Sequence, residues 1–182
     1  MAAGPAPYSP PAKRGVGRPR FSNTEVRREM IIRAALRVFA YRGYDAATMQ
    51  EVSELVGITR PAVNHHFPGK ACLCRTALHR ACEVAITPEA VRQVESFVSL
   101  RDELKMAGAL LGSSLSHSHR IAQIAPRITT VPTALRGLCQ EAVGLTGDDR
   151  RVDTLFAVVA GRWLLMACEL TLADVQIDID LL

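Results

Sequence analysis

The segment from Thr48 to Lys70 restricts the possible fold more than any other stretch: it reads Thr-Met-Gln-Glu-Val-Ser-Glu-Leu-Val-Gly-Ile-Thr-Arg-Pro-Ala-Val-Asn-His-His-Phe-Pro-Gly-Lys. Thr48 stands three residues before Glu51, the spacing of a capping box, and opens a short helix to about Val56 with Val52 and Leu55 on its inner side. Gly57 supplies the left-handed residue that reverses the chain, and Ile58 plugs the turn. Thr59 caps a third helix with Pro61 in its first turn, where a missing amide hydrogen costs little. Val63 and Phe67 then face inward, leaving Arg60, Ala62, Asn64 and His65 outward. A helix-turn-helix of this kind presents its second helix to a DNA major groove.

The surrounding sequence suits that use. The first helix is predicted to start at Ser22, which has capping-box spacing to Glu25. Met30, Ile31, Ala34, Ala35, Val38 and Phe39 make one apolar stripe, and Arg27, Arg28, Arg33 and Arg37 stay available to solvent or phosphate. Gly43 ends it. Pro68-Gly69 is a turn, and Lys70 opens a fourth helix to about Ala85 with Leu73, Ala77, Leu78 and Ala81 inside. Residues 1–80 hold 13 Lys and Arg against 5 Asp and Glu, whereas residues 81–182 hold 9 against 13. A basic first part joined to an acidic remainder indicates a nucleic-acid module followed by a unit with another task.

Residues 1–21 carry Pro5, Pro7, Pro10, Pro11 and Pro19 among glycines and basic residues, too little apolar surface to offset ordering entropy, so a flexible basic arm is expected. Within it Lys13–Arg20 resembles an AT-hook, whose arginines, here Arg18 and Arg20, would enter the minor groove of A·T-rich DNA. A solvated basic tail is the other reading of the same charges.

From Pro88 onward the pattern predicts helices over Glu89–Ser96, Leu100–His117, Thr133–Val143 and Arg150–Ala173, divided by Pro126, Pro132 and the glycines at 144 and 147. With 48% apolar and 5% aromatic residues, and apolar positions recurring three and four apart, the whole chain reads as all-α. The last helix is apolar around nearly its whole circumference, more than one small domain covers, so Leu155, Val159, Trp163 and Met166 are candidates for a dimer interface. Gly137 and Gly161 would allow close approach in an intersubunit four-helix bundle; a central helix in a monomer core is the alternative. A pocket for a small hydrophobic effector would be lined by Phe97, Met106, Leu110, Leu111 and Phe156, positions that core packing explains equally well.

The chemistry of enzymes is not indicated: there is no nucleophile elbow, no glycine-rich phosphate loop and no paired carboxylates in a cleft context. Asp148-Asp149 reads as a helix start, where acidic residues suit the positive end of the dipole. Cys72, Cys74, His79 and Cys82 share one helix, but a single straight helix cannot bring all four around a tetrahedral ion, and His117 and His119 read as polar residues near a loop; no metal and no cofactor is expected. The five cysteines, Cys139 and Cys168 included, read as reduced and mostly buried. No apolar run has transmembrane length and the start lacks a signal-peptide core, so a cytoplasmic, nucleoid-associated protein without membrane partners is expected.

The basic three-helix head, Gly43–Thr48, the Val-Gly-Ile-Thr turn at Val56–Thr59, His65–Phe67 and Lys70 together resemble the TetR family of bacterial transcriptional regulators over Thr24–Ala85; beyond that the likeness is architectural. The resemblance implies a homodimer that binds a palindromic operator in double-stranded DNA, usually as a repressor, and releases it when a small molecule occupies the second domain. It implies that Thr48 caps helix two and contacts phosphate, that Thr59, Arg60, Ala62, Asn64 and His65 lie on the recognition helix, and that Lys70 meets phosphate. Many members carry tyrosine where this chain has Asn64; asparagine bonds adenine edges bidentately, which moves this position from phosphate anchoring toward base reading.

The expectation is therefore an all-α regulator with a basic arm over 1–21, a DNA-binding domain over 22–85 and a helical ligand-binding and dimerisation domain over 86–182. Its rivals are an architectural A·T-rich DNA-binding protein without an effector and a helical interaction module.

Overall fold

Apolar residues at helical spacing decide which faces meet. In a computed structural model, which describes residues 23–93, 102–117, 125–144 and 149–168, the chain forms α1 (Asn23–Ala46), α2 (Met49–Val56), α3 (Arg60–His66), α4 (Lys70–Ala85), α5 (Pro88–Arg92), α6 (Asp102–His117), α7 (Ala125–Ile128), α8 (Val131–Val143) and α9 (Arg150–Ala167). No strand occurs among the described residues. The arm with Arg18 and Arg20, together with Ser22, Phe97, His119, Asp148 and the predicted extension of α9 to Ala173, lies outside them.

The head is built on α1. Ile31, Ile32, Ala35, Leu36, Val38 and Phe39 bury its inner face against α2, α4 and α6, and each fully buried large side chain of this kind contributes about 1.5–3 kcal/mol. Met30 departs from the expected stripe and is exposed, as is Leu55 on α2. Both sit at the edge of their apolar arcs, where the 3.6-residue period turns a side chain past the neighbouring helix. Gly43, at φ 70° and ψ 175°, breaks the helical path as its sequence position predicts, although α1 resumes for a short stretch to Ala46.

The second half of the chain is organised by α6 and α9. Here two glycines matter. A Cβ at Gly112 would lie 2.3 Å from the Trp163 carbonyl oxygen, and one at Gly108 would lie 2.8 Å from both Met166 Sδ and Trp163 Cδ1, so the two helices are in close contact along that edge. Gly137 and Gly161, the residues singled out by sequence, face open space within the protomer.

The dimer-interface expectation needs the matching correction. Leu155, Val159 and Trp163 are at most 4% exposed in the single chain because they pack inside it, and Met166 is half-buried. The outer side of α9 instead carries Ala157 and Leu164 in exposed positions. Asp149 caps α9, accepting a hydrogen bond from the Arg151 amide at 2.8 Å, and Asp153 pairs with Arg136 to join α8 to α9. Pro132 lies in the first turn of α8 rather than dividing it from its neighbour, a position where proline fits a helix.

Candidate nucleic-acid interface

The turn between α2 and α3 is fixed by local hydrogen bonds that the sequence encodes. The Thr48 hydroxyl accepts from the Glu51 amide at 3.1 Å while the Glu51 carboxylate accepts from the Thr48 amide at 2.9 Å, a closed capping box. Thr48's hydroxyl and amide, and beyond them Arg42, hold the Glu51 carboxyl below its ordinary pKa. Gly57 takes φ 72° and ψ 33°, and its amide and that of Ile58 return to the carbonyls of α2. Thr59 then caps α3, its hydroxyl accepting from the Ala62 amide at 3.4 Å.

Burial orients α3. Val63 is 0% and Phe67 1% exposed, so both lock α3 onto the head from behind. Arg60, Asn64 and His65 face solvent on the opposite side, as expected, while Ala62 is half-buried. His65 meets His66 edge-on, with ring centroids 5.7 Å apart. Arg28 of α1 places its guanidinium 4.8 Å from the centre of the Phe67 ring, a cation–π contact that joins the first helix to the end of the third. This link has no local sequence signal, since its partners lie far apart along the chain.

Lys70 has a role that the sequence did not indicate. Its ammonium donates to the carbonyls of Asp45 and Ala47, each at 3.1 Å, and sits 4.7 Å from the centre of the Tyr44 ring. It thereby ties the start of α4 to the end of α1, immediately before the cap of α2. Two of the three ammonium hydrogens are thus engaged within the protein, and the third is the one left for the expected phosphate contact.

Other basic groups of the head are paired at its surface. Arg33 meets Glu29 at 3.2 Å and Arg42 meets Glu51 at 3.3 Å. Arg80 binds Glu103 of α6 through Nη2 at 2.9 Å and Nε at 3.0 Å, and reaches Glu29 of α1 at 3.5 Å, so one guanidinium joins three helices. Burial works against its charge, but Glu103, Glu29 and Glu83 more than offset this and raise its pKa.

Of the expected effector-pocket residues, Leu110 and Leu111 are buried core, Met106 and Phe156 are partly buried against it, and Phe97 lies outside the described residues. A cavity of about 210 Å³ occurs at the junction of α1, α4 and α6, lined by residues including Phe39, Tyr44, Cys74, Leu110 and Ser114. Only Leu110 of the expected set contributes to it. Cys74 and Cys139 are buried, and burial pushes their thiols up to about 12 and about 11; Cys72 and Cys82 are half-buried and Cys168 is exposed. Among the described residues no group of three or more His, Cys, Asp or Glu side chains is placed to hold a metal ion, and no helix is long and apolar enough to cross a membrane.

This arrangement has known counterparts. Residues 31–76, which contain the helix-turn-helix and most of the helices that support it, match the model of the bacterial regulatory proteins of the tetR family. Over these residues the head is similar to the DNA-binding domain of that family. The HTH-type transcriptional repressor AcnR of Corynebacterium diphtheriae is 46% identical over 54 residues, covering 29% of this chain and 28% of that protein. The HTH-type transcriptional regulator SrpR of Pseudomonas putida is 35% identical over 71 residues, covering 37% of this chain and 33% of that protein. The chain thus spans about a third or less of the length of these curated relatives. The fold extends further than the TetR-type head: a tetR-family transcriptional regulator from Streptomyces coelicolor superposes with a TM-score of 0.59 at 20% identity, over 83% of this chain and 73% of that one.

Proposed function

We propose that this protein is a sequence-specific DNA-binding transcriptional regulator, acting as a homodimer on a palindromic operator, with its second domain sensing a small molecule. The observation that carries the reading is the outward face of α3: Arg60, Asn64 and His65 are exposed together on a helix whose other side is fixed by Val63 and Phe67. Arginine and asparagine there have the donor geometry to read guanine and adenine edges, and Thr48 stands at the N-cap of α2, where a phosphate would meet the head.

Repression is the mode suggested by the name of the Corynebacterium diphtheriae relative. The homodimer reading rests on the outer faces of α8 and α9, where Ala134, Gly137 and Ala157 are exposed and small enough for a second helix pair to approach and Leu164 is an exposed large apolar side chain for it to cover. Operator release would follow from an effector that binds better to the geometry with mismatched recognition-helix spacing, drawing population from the DNA-bound form.

The experiment is selection of bound duplexes from a fragmented genomic library, then fluorescence anisotropy on the selected sequence and a scrambled control across salt concentrations. The regulator reading expects a palindromic motif bound at least ~10³-fold more tightly than the control. Enrichment by A·T content alone would indicate the architectural alternative, and no enrichment would remove DNA from the function.

A further inference from the structure

The cavity at the junction of α1, α4 and α6 has the size, polarity and position of a ligand site distinct from the second-domain pocket expected from sequence. Its volume is about 210 Å³. An apolar cavity of about 150 Å³ holds one benzene ring, so this one accommodates a single ring with a substituent. Phe39 and Tyr44, stacked with centroids 6.3 Å apart, and Leu110 supply flat apolar wall.

The polar groups of the lining belong to Arg42, Tyr44, Asp45, Cys74, Ser113 and Ser114 and are neutral in sum. Ser114 is 6% exposed and lines the cavity. Its hydroxyl is available from the cavity, where a ligand hydroxyl can take the place of water as its hydrogen-bond partner. Cys74 remains a protonated thiol because burial pushes it up to about 12. Arg42 at the rim is engaged by Glu51, and Asp45 is exposed to water. The two charged lining residues are of opposite sign and already paired or hydrated, so a neutral ligand is desolvated at less cost than a charged one.

We propose that this junction cavity binds a small neutral molecule with one aromatic ring and one hydroxyl substituent, the ring against Tyr44 and the hydroxyl bonded to Ser114. Its wall from Gly43 to Ala46 is the segment that Lys70 ties down, one residue before Ala47 and two before the Thr48 cap of α2. Occupancy therefore acts on the support of the DNA-reading pair, a consequence that rests on the function proposed above.

The test uses the full chain, with 4-fluorophenol as probe and fluorobenzene as its hydroxyl-free control. Fluorine NMR titration measures affinity, and amide shifts of the ¹⁵N-labelled protein locate the site. Saturable sub-millimolar binding of 4-fluorophenol is expected, with shifts centred on Gly43–Ala46 and on Ser113 and Ser114. Ser114→Ala, which keeps the helix and removes the hydroxyl, weakens 4-fluorophenol by about fivefold and leaves fluorobenzene unchanged. Absence of saturation, shifts centred elsewhere, or equal affinity for the parent and Ser114→Ala would overturn the site. A second arm repeats operator anisotropy with 4-fluorophenol at saturation: a changed affinity is expected, and an unchanged one refutes the coupling to the head. Failure of the ligand-free protein to bind any duplex would instead overturn the regulator reading, with the NMR result standing on its own.

Discussion

Gly112→Ala tests whether α6 and α9 are in contact as described. A Cβ at this position would lie 2.3 Å from the Trp163 oxygen, 2.5 Å from its carbonyl carbon and 2.8 Å from the Leu164 nitrogen, whereas ordinary contact begins near 3.4 Å. All three atoms are backbone, so no side-chain rotation relieves the overlap and α9 must withdraw by roughly 1 Å, loosening the packing of Leu155, Val159 and Trp163. Inserting a carbon into a packed site costs about 1–3 kcal/mol, here at the upper end, and replacing a helical glycine by alanine returns about 1 kcal/mol, for a net loss of about 2 kcal/mol. For a chain of this size that lowers Tm by about 4–8 °C. Gly108→Ala is the control. Its Cβ would meet the far end of Met166 and the edge of the Trp163 ring, and the helix-propensity gain offsets most of the side-chain displacement, leaving stability within about 1 kcal/mol of the parent. Thermal melts by circular dichroism at one fixed protein concentration measure both variants, since oligomers melt in a concentration-dependent way. An unchanged or higher Tm for Gly112→Ala, or a larger loss for Gly108→Ala, would refute the packing argument.

Three further outcomes are expected. Arg60→Ala should weaken specific operator binding by about 1–3 kcal/mol in anisotropy while leaving the melt unchanged, and equal operator affinity would remove Arg60 from base reading. Lys70→Met should destabilise the protein by about 1–2 kcal/mol through loss of the bonds to Asp45 and Ala47 and of the contact with Tyr44; a melt identical to the parent, with only the salt slope of DNA binding reduced, would return Lys70 to a phosphate role. Glu51 has a carboxyl pKa held below the ordinary 4.5, so its stabilising effect is present above that value and is lost as pH falls through the lower folded value. Glu51→Gln should therefore flatten the acid side of the stability profile, measured by denaturant melts from neutral to acid pH, and an unaltered acid limb would contradict the capping-box account.

The helix-turn-helix was legible because its signals are local. Thr48 and Glu51, Gly57, Thr59 and Pro61 each act within four residues, and all of them occupy the predicted positions. The start and end of α4 at Lys70 and Ala85 were legible for the same reason, bounded by a turn and a lost apolar pattern. Features made by distant pairs were not. Lys70 finds its partners 25 and 23 residues earlier, and Arg80 finds Glu103 23 residues later; no periodicity encodes either. The long apolar helix near the end illustrates a different limit. Circumferential hydrophobicity shows that α9 is covered on several sides, but not whether its own α6 or a second subunit covers a given side, and Leu155, Val159 and Trp163 proved to be covered from within. The glycines were equally ambiguous: an added Cβ at Gly108 or Gly112 would collide with α9, whereas at Gly137 or Gly161 it would meet open space, and nothing in the sequence distinguishes the two pairs.

The relative strength of the contacts around α6 indicates where a change of head orientation can occur. On one side α6 meets α9 through buried apolar residues and a glycine that admits no side chain; opening that seam would expose several large side chains at about 1.5–3 kcal/mol each. On the other side α6 meets α1 and α4 through buried apolar residues as well, and at the edge of that contact the Arg80 cluster with Glu29, Glu83 and Glu103 crosses the boundary. Its members are roughly a third to a half exposed, with side-chain values from 31% to 52%, so solvent screening limits each pair to about 1 kcal/mol or less. An effector supplies a coupling free energy of about 1–3 kcal/mol between two states. For the effector-linked function proposed above, that is enough to rearrange screened ion pairs and the Lys70 tie at the end of α1, and too little to separate α6 from α9 or from the apolar faces of α1 and α4. Under the proposed function, the adjustment of the head is confined to these edge contacts, with α3 held to α1 through Phe67 and Arg28, and the wall at Tyr44, which the Lys70 ammonium touches, lies beside the groups that would rearrange.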